Sequence, residues 1–220
     1  QRQMCIRDSI EILGRNTTLP AEAWSRYDGV YYGNIAQWLK YANSLKLRMA
    51  MRLSYVKPDI ARAKAAEAIA GGIITVNADN AAMHAAENRM TLIYNDWGDH
   101  RVGADIISYL DGYDDPRLEK MFLPNDVDDY VGIRIGIDVA GKSTAMSKYS
   151  NMIVASDTPY LWFNAAEATF LHAEYELRWG SAETAKTLYE QAVRLSFEER
   201  GASGADAYLV DATKKPAPYT

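Results

Sequence analysis

The stretch NIAQWLKYANSLKLRMAMRLS, residues 34–54, decides the fold class. Ile35, Trp38, Ala42, Leu45, Met49 and Leu53 recur three or four apart, which predicts one amphipathic helix with a continuous apolar stripe. Asn34 stands where a helix N-cap belongs. Pro58 and Asp59 then open a second helix: the proline lacks only an N–H that the first turn would leave unbonded, and the acid faces the positive end of the helix dipole. Six alanines between 61 and 70 let helix backbones approach closely, and Gly71-Gly72 supplies a stop. The same plan returns in WFNAAEATFLHAEYELRWG, residues 162–180, where Phe163, Ala166, Phe170, Ala173 and Leu177 hold the stripe. After a Gly180-Ser181 turn, residues 182–200 continue it with Ala185, Leu188, Ala192 and Leu195. The expected fold is mainly α, built from stacked helix pairs with little β. Such scaffolds bind more often than they transform.

Between these pairs the pattern is looser. Residues 10–33 read as loop and short turns, 73–76 as extended, and 79–87 as a short helix. YNDWGDHRVG (94–103) is a polar, glycine-bearing loop. A helix is expected over 104–110, ended by Gly112, and another begins with Asp115 as N-cap and Pro116 at its first position. Residues 123–158, rich in Gly, Asp, Ser and Asn, form the longest non-helical segment, with a hairpin expected around 131–139. Long loops on rigid scaffolds are where function tends to sit. The opening QRQMCIRDS (1–9) shows no periodicity and resembles translated adapter sequence, so it is expected to lie outside the native fold. Residues 207–220 are expected to be irregular.

Composition narrows the function. The 220-residue chain carries a formal net charge of -5, which argues against nucleic acid as a partner because phosphate binding needs a basic face. A single cysteine excludes an internal disulfide or a multi-cysteine metal site. No apolar run approaches the ~20 residues needed to cross a bilayer as a helix. With 15 Tyr and 5 Trp against 4 Phe, most rings carry a polar edge, which suits helix seams and half-wet interfaces.

Several blocks together resemble one family. ANSLKLRMAMRLS (42–54), the Gly71-Gly72 stop, GADIISYLDGYDDPRL (103–118), AAEATFLHAEYELRWG (165–180) and LYEQAVRLSFEERG (188–201) are similar, in order and spacing, to the SusD/RagB outer-membrane lipoproteins. The resemblance implies a SusD-like α–α superhelix of tetratricopeptide-like helix pairs over 10–206, present in part, carrying a loop-rich ligand face. It also implies a surface-exposed outer-membrane lipoprotein that binds oligosaccharide or another nutrient without chemistry. The implied partner is a SusC-like TonB-dependent transporter, and the implied membrane attachment is an N-terminal lipid anchor missing from this sequence.

Sugar rings stack their C–H faces on aromatic rings, and their hydroxyls pair with amides, carboxylates and guanidinium groups. Tyr94, Asn95, Asp96, Trp97 and Arg101 gather those types in one loop, and Tyr130 and Arg134 add to them from the next; these seven are the expected ligand-binding residues. The alternative for Trp97 and Arg101 is structural, a plug beneath the loop and a partner for a nearby acid. Catalysis is not expected. His84, His100 and His172 lack the signature of a positioned base, and the acids Asp96/Asp99, Asp114/Asp115 and Asp126/Asp128/Asp129 are not placed across a cleft by sequence alone. Residues 125–129 lack the glycine and distal glutamate of a calcium loop and read as a solvated acidic turn, so no metal or cofactor is expected. Arg48 and Arg52 are expected to be scaffold residues that pair with acids such as Glu167 or Glu174 or cap carbonyls. A competing function is a tetratricopeptide-like module that binds protein and no glycan.

Overall fold

The computed structural model of the chain describes residues 2–139 and 141–211. In chain order, helices α1 (Arg2–Arg15), α2 (Ile35–Met51) and α3 (Pro58–Ala70) precede the strand β1 (Ala81–Met83). Next come α4 (Met90–Asn95), α5 (Ala104–Gly112), α6 (Leu118–Met121), β2 (Phe122–Leu123), α7 (Lys142–Lys148) and β3 (Asn151–Met152). Strand β4 (Tyr160–Phe163) leads into α8 (Ala165–Trp179), α9 (Ala182–Glu199) and α10 (Ala205–Val210). The chain is mainly α, as its periodicity predicts, and divides into two compact units. Among the described residues, one unit joins those through His84 to 159–196; the other joins those of 85–158 to 197–211.

In the first unit α2 is the central rod, packed by α1, α3 and α8. The Asn34 side chain caps it by accepting the Gln37 N–H at 3.2 Å. A helix gripped from several sides has no single stripe. Leu47, Ala50 and Met51 are buried alongside Ala42, while Trp38 and Leu45 lie half-buried at the core margin. Close approach rests on alanines: Ala50, Ala61, Ala65, Ala68, Ala165 and Ala168 are wholly excluded from solvent. In α8 these small residues, with Thr169 and Ala173, take the buried face. Phe170 and Leu177, expected inside, remain at the surface, where Phe170 meets Tyr189 of α9 edge-on at 5.6 Å.

Polar pins fix the register of these helices. The buried Ser44 hydroxyl donates to the Lys40 carbonyl (2.8 Å) and accepts the Ile74 N–H (2.9 Å). Asn43 donates to the Gly71 carbonyl at 2.8 Å, which fastens the exit of α3 to α2. Arg48 forms a bidentate pair with Glu167 of α8, at 2.5 and 2.6 Å, and its guanidinium lies 3.9 Å from the centroid of the buried Phe163 ring. Glu174, the other candidate acid, is taken by Arg178 one turn along α8 at 2.8 Å.

Three expectations fail in this unit. The segment 79–87 is not helical: its alanines form β1, antiparallel to β4 with Ala81 opposite Phe163 and Met83 opposite Tyr160. Alanine's helical propensity yields to pairing with a strand far along the chain. For the same reason α8 starts at Ala165, capped by Asn164, rather than at Trp162. Residues 2–9, expected to lie outside the fold, belong to α1, which packs on α2. Ile6, Ile10 and Leu13 are its half-buried positions, a helical spacing that a boundary drawn at residue 9 cuts in two.

The core of the second unit is Val102, Ile107, Leu110 and Phe122. Strands β2 and β3 pair antiparallel, with Phe122 opposite Met152. The hairpin expected over 131–139 is absent, because that backbone bonds elsewhere: Ile133 donates to Val102 (2.8 Å), and Ser150 donates to Val131 (2.8 Å). Helix α7 forms inside the segment read as loop. Helix α5 runs through Gly112, and the left-handed residue beyond it is Asp114 (φ 44°). Helix α10 occupies part of the stretch expected to be irregular; residues 212–220 of that stretch lie outside the described residues. Asp115 does not cap a helix beginning at Pro116. Its buried carboxylate accepts both the backbone N–H and the Nε of Arg117 at 2.9 Å, and the ion pair adds a second contact to the guanidinium. That guanidinium also lies 4.7 Å from the Phe197 ring. Burial alone would lower the Arg117 pKa, but Asp115 and Tyr208 outweigh it and hold the charge.

Removing the acid strands that cation. Asp115→Ala is expected to cost about 3–5 kcal/mol, the penalty of an uncompensated buried charge, read as a lower urea midpoint. The double variant Asp115→Ala/Arg117→Met is expected to recover part of the loss.

A second prediction concerns pH. Burial acts to raise the Asp28 pKa, but four donors outweigh it and leave the pKa below its ordinary 3.8. They are the N–H groups of Gly33 (2.8 Å), Val30 (2.9 Å) and Tyr31 (3.1 Å) and the Trp38 indole N–H (2.7 Å). The lowered folded-state pKa means that Asp28 contributes its full stabilisation above pH 3.8 and loses it as pH falls through the folded value. The stability gap between wild type and Asp28→Asn should therefore be constant at neutral pH and close below pH 3.8, measured by urea unfolding across that range.

Candidate ligand-binding site

The loop that follows α4 in the second unit holds most of the expected ligand residues, and its backbone is bonded throughout. Trp97 N–H donates to Leu92 (3.2 Å), Gly98 to Tyr94 (3.1 Å) and Asp99 to Ile93 (3.0 Å). Gly98 adopts φ +64°, a left-handed turn, and a Cβ there would stand 3.0 Å from the Met146 sulfur of α7. The turn thus requires glycine both for conformation and for space.

Helix α7 braces this loop through two cations. Lys142 donates to the Trp97 carbonyl at 3.0 Å and pairs with the Asp99 carboxylate. Arg101 donates through Nε to the Ala145 carbonyl (3.0 Å) and through a second nitrogen to the His100 carbonyl. Its third nitrogen is buried with no partner among the described residues. The guanidinium lies 5.0 Å from the Tyr94 ring centroid, and Tyr94 in turn stacks on His100 with centroids 5.9 Å apart and planes at 18°.

The expected residues thus divide. Tyr94 and Arg101 are consumed in an internal stack and clamp. Tyr130 is half-buried against the core of Val102, Ile107, Leu110 and Phe122. Asn95, Asp96 and Trp97 remain exposed at the loop's outer edge, with Trp97 54% accessible. Arg134 is also exposed, just beyond Ile133, which bridges to Gly103 at the loop's far end. Sequence reasoning missed Lys142 and α7 altogether. The run KSTAMSK, with helix-forming Lys, Ala and Met after a glycine, carried the signal.

Other candidates have local partners. The Asn125 amide oxygen accepts from Val127 (3.0 Å) and Asp129 (2.9 Å), which organises the acidic turn by side-chain bonding. His172 is half-buried 3.6 Å from Glu176, and burial depresses its pKa despite that acid. In the first unit a cavity of about 550 Å³ lies between α1 and the turns that follow it, walled by Ile12, Leu19, Trp24, Tyr27 and Trp38. Its carboxylate, Asp28, is already committed to four donors, so little remains there to orient a polar ligand.

A family model described as SusD-like, Susd and RagB outer membrane lipoprotein, matches residues 6–220. The chain belongs to the SusD-like family. Its residue 6 boundary agrees with α1 being part of the fold. The family is one of surface-exposed outer-membrane lipoproteins, and that is the location of this SusD-like chain. Among solved structures, a SusD homologue from Bacteroides thetaiotaomicron is 43% identical with a TM-score of 0.90, covering 98% of this chain and 46% of its own. A second SusD-like protein from the same species is 38% identical (TM-score 0.89; 96% and 46% coverage). A chitin-binding SusD homologue from Flavobacterium johnsoniae is 34% identical (TM-score 0.85; 96% and 45%). The chain therefore spans about half the length of the structures it matches. Comparison with curated proteins returns no match.

The clamp and the exposed indole should separate on mutation. Arg101→Met, which leaves two backbone carbonyls without their donor, is expected to cost about 1–3 kcal/mol of stability. Trp97→Ala should stay within about 0.5 kcal/mol of wild type. Paired urea titrations check both.

Proposed function

We propose that this chain is the ligand-recognising part of a surface nutrient binder that takes up oligosaccharide and passes it, without making or breaking a bond, to a SusC-like TonB-dependent transporter. Membership of an outer-membrane lipoprotein family supports the location, and the chitin-binding homologue supports the ligand class. The observation that carries the reading is Trp97, an indole 54% in solvent on a loop held from both sides. The loop backbone is already held, so little of its freedom would be lost when the indole meets a ligand. In this reading Trp97 stacks on a sugar face, and Asn95, Asp96 and Arg134 bond its hydroxyls. Tyr94 and Arg101 hold the loop, and Tyr130 packs beneath it.

Calorimetry with chitohexaose, maltohexaose and xylohexaose tests the proposal. At least one should bind with no product released, and Trp97→Ala should weaken that binding by about tenfold, the loss of roughly one good aromatic contact. Failure of all three probes alongside capture of a peptide or protein would replace the reading with a protein-interaction module. Release of shortened sugars would replace it with a hydrolase.

A further inference from the structure

Helix α5 carries a feature that neither the core nor the Trp97 loop explains. Its inner face buries Ile107 and Leu110. Its outer face aligns Asp105, Ser108, Tyr109, Gly112 and Tyr113 at helical spacing along one stripe. These five residues line an open depression of about 440 Å³. Tyr109 and Tyr113 sit one turn apart with ring centroids 6.2 Å apart and planes within 27°, so their faces are presented in nearly the same direction. Tyr109 is 66% exposed. Among the described residues the Asp105 carboxylate and the Ser108 hydroxyl have no protein partner, and both lie at the surface.

Gly112 makes the stripe more than a surface pair of rings. Gly112 is the last residue of α5, where a glycine usually has a reason: it ends the helix in a left-handed turn or clears a close contact. Conformation does not provide one: the left-handed turn that ends α5 falls on Asp114, not on Gly112. Crowding does not either, since a Cβ on Gly112 would meet nothing within 4 Å. What the missing side chain does is leave open the floor between Tyr109, Tyr113 and Ser108.

We propose that this depression is a second glycan-contact site, in which Tyr109 and Tyr113 stack on sugar rings and Asp105 and Ser108 bond to their hydroxyls. The inference rests on the oligosaccharide reading above and adds a contact surface to it. Flat pyranose faces match near-parallel rings, and a free carboxylate and hydroxyl at the edge match outward-pointing sugar hydroxyls. Such a site favours long chains over short ones, because two contact points on one ligand multiply their affinities when the ligand spans them.

Gly112→Gln is the discriminating variant, because it fills the depression without straining the backbone and raises helix propensity. Chitohexaose, maltohexaose and xylohexaose, with their disaccharide counterparts, serve as probes, read by calorimetry and by NMR of labelled tyrosine rings. The expected result is that a hexaose which binds wild type shifts the Tyr109 and Tyr113 ring signals, and that Gly112→Gln and Tyr109→Ala each weaken it at least threefold with unfolding midpoints unchanged or higher for Gly112→Gln. Gly112→Ala should bind like wild type. If Trp97→Ala weakens binding while Gly112→Gln and the tyrosine signals do not respond, the second site is overturned and the oligosaccharide reading stands. If Gly112→Gln weakens binding and Trp97→Ala does not, the α5 site stands and the Trp97 assignment fails. If no probe binds wild type, both are overturned.

Discussion

The bidentate contact between Arg48 and Glu167 is the constraint on which the helical frame depends. It joins α2 to α8, whose partner residues are 119 positions apart in the chain. The guanidinium also lies over Phe163, so a charged pair and an aromatic ring close the same seam. Phe163 ends β4 opposite Ala81, and two residues later α8 begins at Ala165. Fixing the ring therefore also fixes the strand register and the start of the helix. Arginine suits this position because its planar head both stacks and forks onto a carboxylate, which lysine cannot do together.

In the second unit side chains are spent on backbone. Lys142 and Arg101 direct their donors at main-chain carbonyls of the 97–100 turn and of α7, and Gly98 lets that helix come close. Such contacts add little burial, yet they remove the freedom of a turn that bears an exposed indole. The same logic applies to Tyr94, a ligand residue by type, whose ring contacts both Arg101 and His100.

The long helices were legible because their evidence is local. Periodicity, the Asn34 cap and Pro58 each act within a few residues, and α2, α3 and α9 follow them closely. What escaped reading is set by distant partners. Residues 81–83 become a strand only because 160–163 lies beside them, and 131–133 forgoes a hairpin because 102 and 150 claim its amides. Likewise the loop around Trp97 was recognisable by composition, but whether a given ring faces water or a guanidinium depends on α7, some 45 residues later. Side-chain type identifies what a residue can do; only packing decides which of those things it does.

The β1–β4 ladder matters beyond its few hydrogen bonds. It clasps Met83 to Tyr160, so everything between those residues leaves the helical frame and returns to it at neighbouring points. To the frame, that long excursion is one closed loop, and the entropy of closing a loop changes only slowly with its length. The ladder therefore fixes where the excursion leaves and rejoins the chain of the first unit, and a change in its length alters that closure entropy little.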